Sequence, residues 1–179
     1  MKLTILGSGT AIVTARRGSS GYLIKIADKT LLLDSGSGTL KKIAEASSSF
    51  KEIDYAIYTH LHPDHVTDLI SLLFALRIPS NYKSKDLTVI GPTGMKKFHR
   101  NITETFDNFI EPRGYELTIN ELSGGDLDFE DFKLTSSLIN HHEGSLAYRV
   151  ESKDGKSIVY SGDTDYCESI VELARDVDI

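Results

Sequence analysis

Apolar residues recur along this chain at two spacings, every second residue and every third to fourth, and these divide it into strands and helices. Residues 2–6 (KLTIL) are rich in strand formers and stop at Gly7-Ser8-Gly9-Thr10. Residues 21–26 (GYLIKI) and 30–34 (TLLLD) predict two strands around the turn Ala27-Asp28-Lys29. After Asp34 comes Ser35-Gly36-Ser37-Gly38, a loop with wide backbone freedom, and a helix is expected from Thr39 to Ala46. Residues 53–58 (IDYAIY) form a mostly apolar run that predicts a buried strand. A polar loop from Thr59 to Asp64 follows. From His65 to Leu76 the apolar residues Val66, Leu69, Ile70, Leu73 and Leu76 fall at helical spacing. A strand at 87–90 is stopped by Gly91-Pro92-Thr93-Gly94, and a helix is expected over 95–109. Further strands are predicted at 115–119, 132–138, 146–151 and 157–160, with a last helix over 167–175. Strands occur both as hairpins and with helices between them. This pattern predicts a layered α/β (α+β) architecture with helices packed outside the sheets, rather than a doubly wound sheet.

At 179 residues, with 40% hydrophobic and 26% charged residues, the chain suits one domain, 1–179, and argues against wholesale disorder. No apolar run approaches the roughly 20 residues that span a bilayer, and the N-terminus is too short in apolar residues for a signal-peptide core. No membrane partner is expected. The single cysteine, Cys167, excludes an intrachain disulfide and suits a reducing, cytoplasmic setting. The net charge of −6 argues against a general polyanion binder. Local basic patches remain candidates: Arg16-Arg17, Lys41-Lys42, Lys83 with Lys85, and Lys96-Lys97 with Arg100.

The chemistry concentrates at Thr59-His60-Leu61-His62-Pro63-Asp64-His65, where three of the six histidines fall between a predicted buried strand and a predicted helix. In a locally extended loop alternate side chains share a face, so His60 and His62 can converge on one ion. Asp64 and His65 lie past the turn favoured by Pro63 and can serve a second spot nearby. Imidazole and carboxylate donors suit Zn²⁺, and also Mn²⁺ or Fe.

These residues resemble the signature of the metallo-β-lactamase-fold superfamily, in its ribonuclease Z-like branch. Leu6 to Thr10 resembles the opening strand and turn of that branch, and Leu33 to Gly38 its early aspartate–glycine loop. His141, with Tyr148-Arg149-Val150 seven residues on, resembles the third metal-binding motif, and Tyr160 to Thr164 the fourth. The resemblance implies an αββα sandwich and two divalent metal ions. It implies one ion on His60, His62, His141 and Asp163, and the other on Asp64, His65 and the bridging Asp163. The motif spacing favours His141 over the adjacent His142. Asp34 is a candidate partner for orienting a ligand histidine.

The chain also departs from that family. Members carry a late metal-binding histidine and further strands, whereas His142 is the last histidine here. The resemblance therefore implies that the second half of the sandwich is incomplete and that the C-terminal part of the fold is missing. An uncovered sheet edge would favour pairing as a homodimer. Only 21 residues separate His141 from Asp163, which leaves no room for the tRNA-gripping arm of long-arm ribonuclease Z. Pro63 stands where a small residue is common.

The expected function is a metal-dependent hydrolase acting on a phosphodiester, either RNA or a small molecule, with Asp64 as the catalytic acid/base and metal ligand. The alternatives are a hydrolase of esters, lactones or thioesters, a catalytically impaired metal-binding module, and an RNA binder without catalysis. Segments 77–86 and 101–115 would shape the pocket.

Overall fold

In the computed structural model, which describes residues 1–12, 14–78 and 85–179, the period-two strands assemble into two sheets that share one apolar layer. The first sheet has the order β1-β2-β3-β4-β5-β6. Its members are β1 Lys2–Gly7, β2 Gly21–Ile26, β3 Lys29–Ser35, β4 Tyr55–Ile57, β5 Leu87–Pro92 and β6 Leu117–Leu122. The hairpin strands β1, β2 and β3 pair antiparallel. From β3 to β6 the strands run parallel, because each return passes outside the sheet. All three returns carry a helix: α1 Thr39–Glu45 between β3 and β4, α2 Pro63–Leu76 between β4 and β5, and α3 Met95–Thr105 between β5 and β6. The second sheet is antiparallel, ordered β10-β9-β8-β7, from β7 Gly125–Asp128, β8 Phe132–Leu138, β9 Leu146–Ser152 and β10 Ser157–Tyr160.

Strand alternation then builds two cores. Leu23, Leu32, Ala56 and Val89 face the helices and pack with Ile43, Val66, Leu69, Leu72, Leu73 and Leu76. Ile24, Leu31, Leu33, Ile57 and Ile90 face the other way and meet Phe132, Leu134, Tyr148 and Val150 of the second sheet. Each fully buried Leu contributes about 1.5–3 kcal/mol of transfer free energy, so α2 is held mainly by its apolar face. On the outer face of the second sheet Arg149 donates to the carbonyls of Leu173 and Arg175 and so ties down α4 Glu168–Leu173. The layers run helix, sheet, sheet, helix, as the resemblance implied.

Several expectations shift. The helix expected over 95–109 ends at Thr105, because Asp107 and Asn108 adopt left-handed backbone angles of φ 46° and 61°. The strand expected at 115–119 lies at Leu117–Leu122, in register with β5. Strand β7 had no apolar alternation to announce it and forms by pairing with β8. Lys83 and residues 79–84 lie outside the described residues. Among the described residues no helix is long and apolar enough to cross a membrane. Edge strand β1 exposes Ile5 at 62%, and a cleft of about 380 Å³ opens between β1 and β10 and reaches Asp163. Ile179 pairs with the outer side of β10, accepting from Val159 N–H.

Candidate metal centre

Every candidate site residue lies at one end of the two sheets. Asp34 ends β3, His60 and His62 follow β4, Asp64 and His65 open α2, His141 lies between β8 and β9, and Asp163 follows β10. Three contacts hold these segments together. Leu146 N–H donates to Thr59 O at 2.9 Å, Tyr148 Oη donates to Tyr58 O at 2.9 Å, and Asp165 N–H donates to Asn140 O at 2.8 Å.

Two glycines permit the close packing this needs. A Cβ on Gly36 would sit 1.9 Å from Asp64 O and 2.4 Å from Ser19 Cβ. A Cβ on Gly162, at φ 59°, would meet the Thr59 side chain at 2.8 Å. Gly36→Ala is therefore expected to push the first turn of α2 away and cost about 1–3 kcal/mol, the usual range for overpacking. Thermal unfolding of the chelator-treated protein checks this, and an unchanged midpoint would contradict it.

The central group is Asp34. Its carboxylate is fully buried, and its backbone has φ 52°, a left-handed conformation that aspartate tolerates. Oδ1 accepts from Thr59 N–H at 2.9 Å. Oδ2 accepts from Thr59 Oγ1 at 2.9 Å, from His65 Nδ1 at 2.6 Å and from Tyr160 Oη at 2.7 Å. These bonds assign the histidine tautomers. An ionised carboxylate can only accept, so His65 carries a proton on Nδ1, and in its neutral form Nε2 is bare. The Thr59 hydroxyl spends its proton on Asp34, so it accepts from His60 Nδ1 at 2.9 Å. His60 Nε2 is then also a bare lone pair, and it is buried with no hydrogen-bond partner. One aspartate thus aims two imidazole donors, one directly and one through a hydroxyl.

The ionisation of the pair divides accordingly. Burial pulls the His60 imidazole down to about 4, assisted by the neighbouring His65, so it is neutral near pH 7. Burial also pulls on His65, but the Asp34 hydrogen bond and the charges of Asp34, Asp163 and Asp64 outweigh it and raise its affinity for a proton.

Around these two donors the structure forms two compact groups, His60 with His62 and His141, and His60 with His65 and Asp163. In each, one donor atom per residue lies within 4.8 Å of the others. His141 Nε2 faces His62 Nδ1 at 3.1 Å, and His65 Nε2 faces Asp163 Oδ1 at 3.3 Å. The adjacent His142 turns its Nδ1 to Glu143 O at 3.0 Å, so His141 joins the group and His142 does not. These compact groups differ from the expected ligand sets in three ways. His60 belongs to both groups, and Asp163 is in the second but not the first. Asp64 lies 3.7 Å from His65 Nε2 and in neither group. An orphaned buried nitrogen surrounded by histidine and carboxylate donors fits a divalent metal ion.

Sequence reasoning did not assign Thr59, Tyr160 or Ser20. Ser20 Oγ lies 2.7 Å from Tyr160 Oη, completing the chain behind Asp34. Thr59 and Tyr160 flank the two motifs that carry His60 and Asp163, and that adjacency was the available signal.

The metallo-beta-lactamase superfamily matches residues 14–177. Among relatives, the chain is similar to ribonuclease Z of Brevibacillus brevis, with 27% identity across 100% of this chain and 71% of that one. It is also similar to ribonuclease Z of Nanoarchaeum equitans, with 31% identity across 84% of this chain and 46% of that one. The chain thus spans about half the length of some of these relatives. Human tRNase Z, short form, shares the fold at a TM-score of 0.84 and 23% identity, covering 99% of this chain and 75% of that one.

Proposed function

We propose, since the chain belongs to the metallo-β-lactamase superfamily, that it is a metal-dependent hydrolase of phosphodiesters, with RNA as its substrate class. The observation that carries this reading is the pair of bare Nε2 atoms on His60 and His65, set by Asp34 among His62, His141 and Asp163. Its relatives in Brevibacillus brevis and Nanoarchaeum equitans are ribonuclease Z, which favours a phosphodiester over an ester or lactone.

His60, His62 and His141 would hold one divalent ion, and His65 and Asp163, with Asp64 beside them, a second. Zn²⁺ suits this donor set best. Bound ions supply Lewis acidity toward phosphoryl oxygens and make water nucleophilic near neutral pH. The chain's own residues do the rest. Asp34 and Thr59 hold the Nδ1 protons of His60 and His65 away from the site, so each Nε2 faces it, and at His65 a bound ion competes with a proton. Asp64, only 14% exposed at its side chain, accepts the proton of the attacking water and orients its lone pair. The cleft between β1 and β10 leads to Asp163 and gives the scissile linkage its approach.

Elemental analysis and turnover of bis(4-nitrophenyl) phosphate test the proposal together. About two divalent ions per chain are expected, with turnover abolished by a chelator and restored by Zn²⁺ or Mn²⁺. Bound metal with turnover of a lactone or thioester but of no phosphodiester would reassign the substrate. Absence of stoichiometric metal would sink the proposal.

A further inference from the structure

The chain carries a net charge of −6, and much of its basic charge is already spent. Lys41 and Lys42 pair with Glu45, and Lys85 pairs with Asp54. Helix α3 is different. Lys96, Lys97 and Arg100 are exposed, and among the described residues none of their side chains has an ion pair. Positions 96 and 97 lie four and three residues before 100, so the three side chains share one helix face. The opposite face is fixed by Met95 and Thr103, both buried, and by Phe98 and Ile102 packed on the core.

The start of α3 lies beside the metal centre. A Cβ on Gly94 would meet Leu61 Cδ1 at 3.8 Å, and Leu61 stands between His60 and His62. Glu121 Oε1 accepts from the backbone N–H groups of Gly94 and Lys96, both at 2.9 Å, so its charge is engaged at the helix start. The cationic turn is thereby anchored at the rim of the site. Five residues span about 6 Å of helix axis, enough to follow two or three phosphates of one strand.

We infer that the Lys96, Lys97 and Arg100 face of α3 is a phosphate-docking surface that holds RNA beside the metal centre. The inference rests on the phosphodiesterase reading for its occupant and on charge complementarity for its location. The chain is acidic overall, so an unpaired cationic turn at the rim of the site steers the substrate toward it. The face touches the backbone and not the reacting linkage, so it governs RNA binding and leaves small-diester turnover alone.

The test compares the wild-type holoenzyme with the Lys96→Ala/Lys97→Ala/Arg100→Ala variant. Binding of a fluorescein-labelled phosphorothioate RNA hairpin with a single-stranded 3′ tail is followed by anisotropy across a salt series. Loss of three single-strand contacts should reduce the log–log salt slope by about 2 and weaken binding on the order of 100-fold near 0.1 M salt. Turnover of bis(4-nitrophenyl) phosphate should not change. An unchanged salt slope would overturn the inference. So would a parallel loss of small-diester turnover, because the trio would then act on the site itself. An equal loss of affinity for a charge-matched poly-glutamate would give the face to an acidic protein instead. If wild-type protein bound RNA yet turned over no diester, the phosphodiesterase reading would fall while the salt slope still reported on docking.

Discussion

Replacing His60 with alanine is expected to cost more bound metal than replacing His141. The asymmetry follows from geometry, because His60 is 2% exposed and its single bare Nε2 lies within 4.8 Å of the donors of both compact groups, whereas His141 stands at the exposed rim. That lone pair ligates one ion, and no neighbour replaces it. His62 and His141 are then left as two donors, and the alanine opens a buried gap beside His65 and Asp163. Removal of one electrostatic stabiliser typically costs about 100–1,000-fold in kcat, and loss of the ions adds to that. His60→Ala should therefore reduce phosphodiester turnover by at least about 1,000-fold. His141→Ala, at the exposed rim, should retain roughly half the bound metal. Elemental analysis of the two variants beside wild type decides the matter. Equal metal loss in both would mean that the buried position of His60 between the two groups gives it no greater weight than the rim residue His141.

Asp34→Asn is expected to act twice, on stability and on the metal. Oδ2 receives three donors in the fold, and an amide placed there presents either its own N–H groups to them or a single weaker acceptor. Breaking such a buried charged network by changing one partner costs about 3–5 kcal/mol. At roughly 2–4 °C per kcal/mol for a chain of this size, the metal-free midpoint should fall by about 6–20 °C. The second effect is specific. Without the carboxylate, Thr59 no longer holds the His60 proton on Nδ1, and His65 is free to exchange tautomers. Partners that orient metal-binding histidines are worth about 10–100-fold in metal affinity. Metal affinity measured on the folded fraction at low temperature separates the two. A lower midpoint with unchanged affinity would show that Asp34 only holds the fold together.

The sequence by itself determined most of the elements and singled out the candidate donors. The strand at 21–26 and the strand at 132–138 have the bounds the sequence predicted, the first as a mostly apolar run with core on both faces, the second by alternation between a core face and an outer one. The helix after His62 was equally legible, from Val66, Leu69, Leu73 and Leu76 at one spacing. The cluster from His60 to His65 declared its chemistry because so many metal-binding side chains rarely fall in so short a stretch without use. Strand β7 was not legible, since Gly125-Asp126-Leu127-Asp128 has no pattern of its own and exists through β8. Nor was the early end of α3, which Asp107 and Asn108 impose through their backbone angles.

Only the tertiary structure decided how the candidate donors are grouped and which proton sits on which nitrogen. Local spacing pairs His60 with His62 and Asp64 with His65, because it sees only the loop. It cannot bring His141 and Asp163 in from the second sheet, nor show that His60 stands between the groups. Asp34 was legible as a candidate partner, but its acceptor pattern depends on Thr59, His65 and Tyr160 arriving from three separate segments. A hydrogen bond is fixed by distance and direction across the fold, whereas a sequence pattern reports only what each segment does with water and with its nearest neighbours. The donor types are therefore a property of the chain, and the lone pairs they present are a property of the packed sheets.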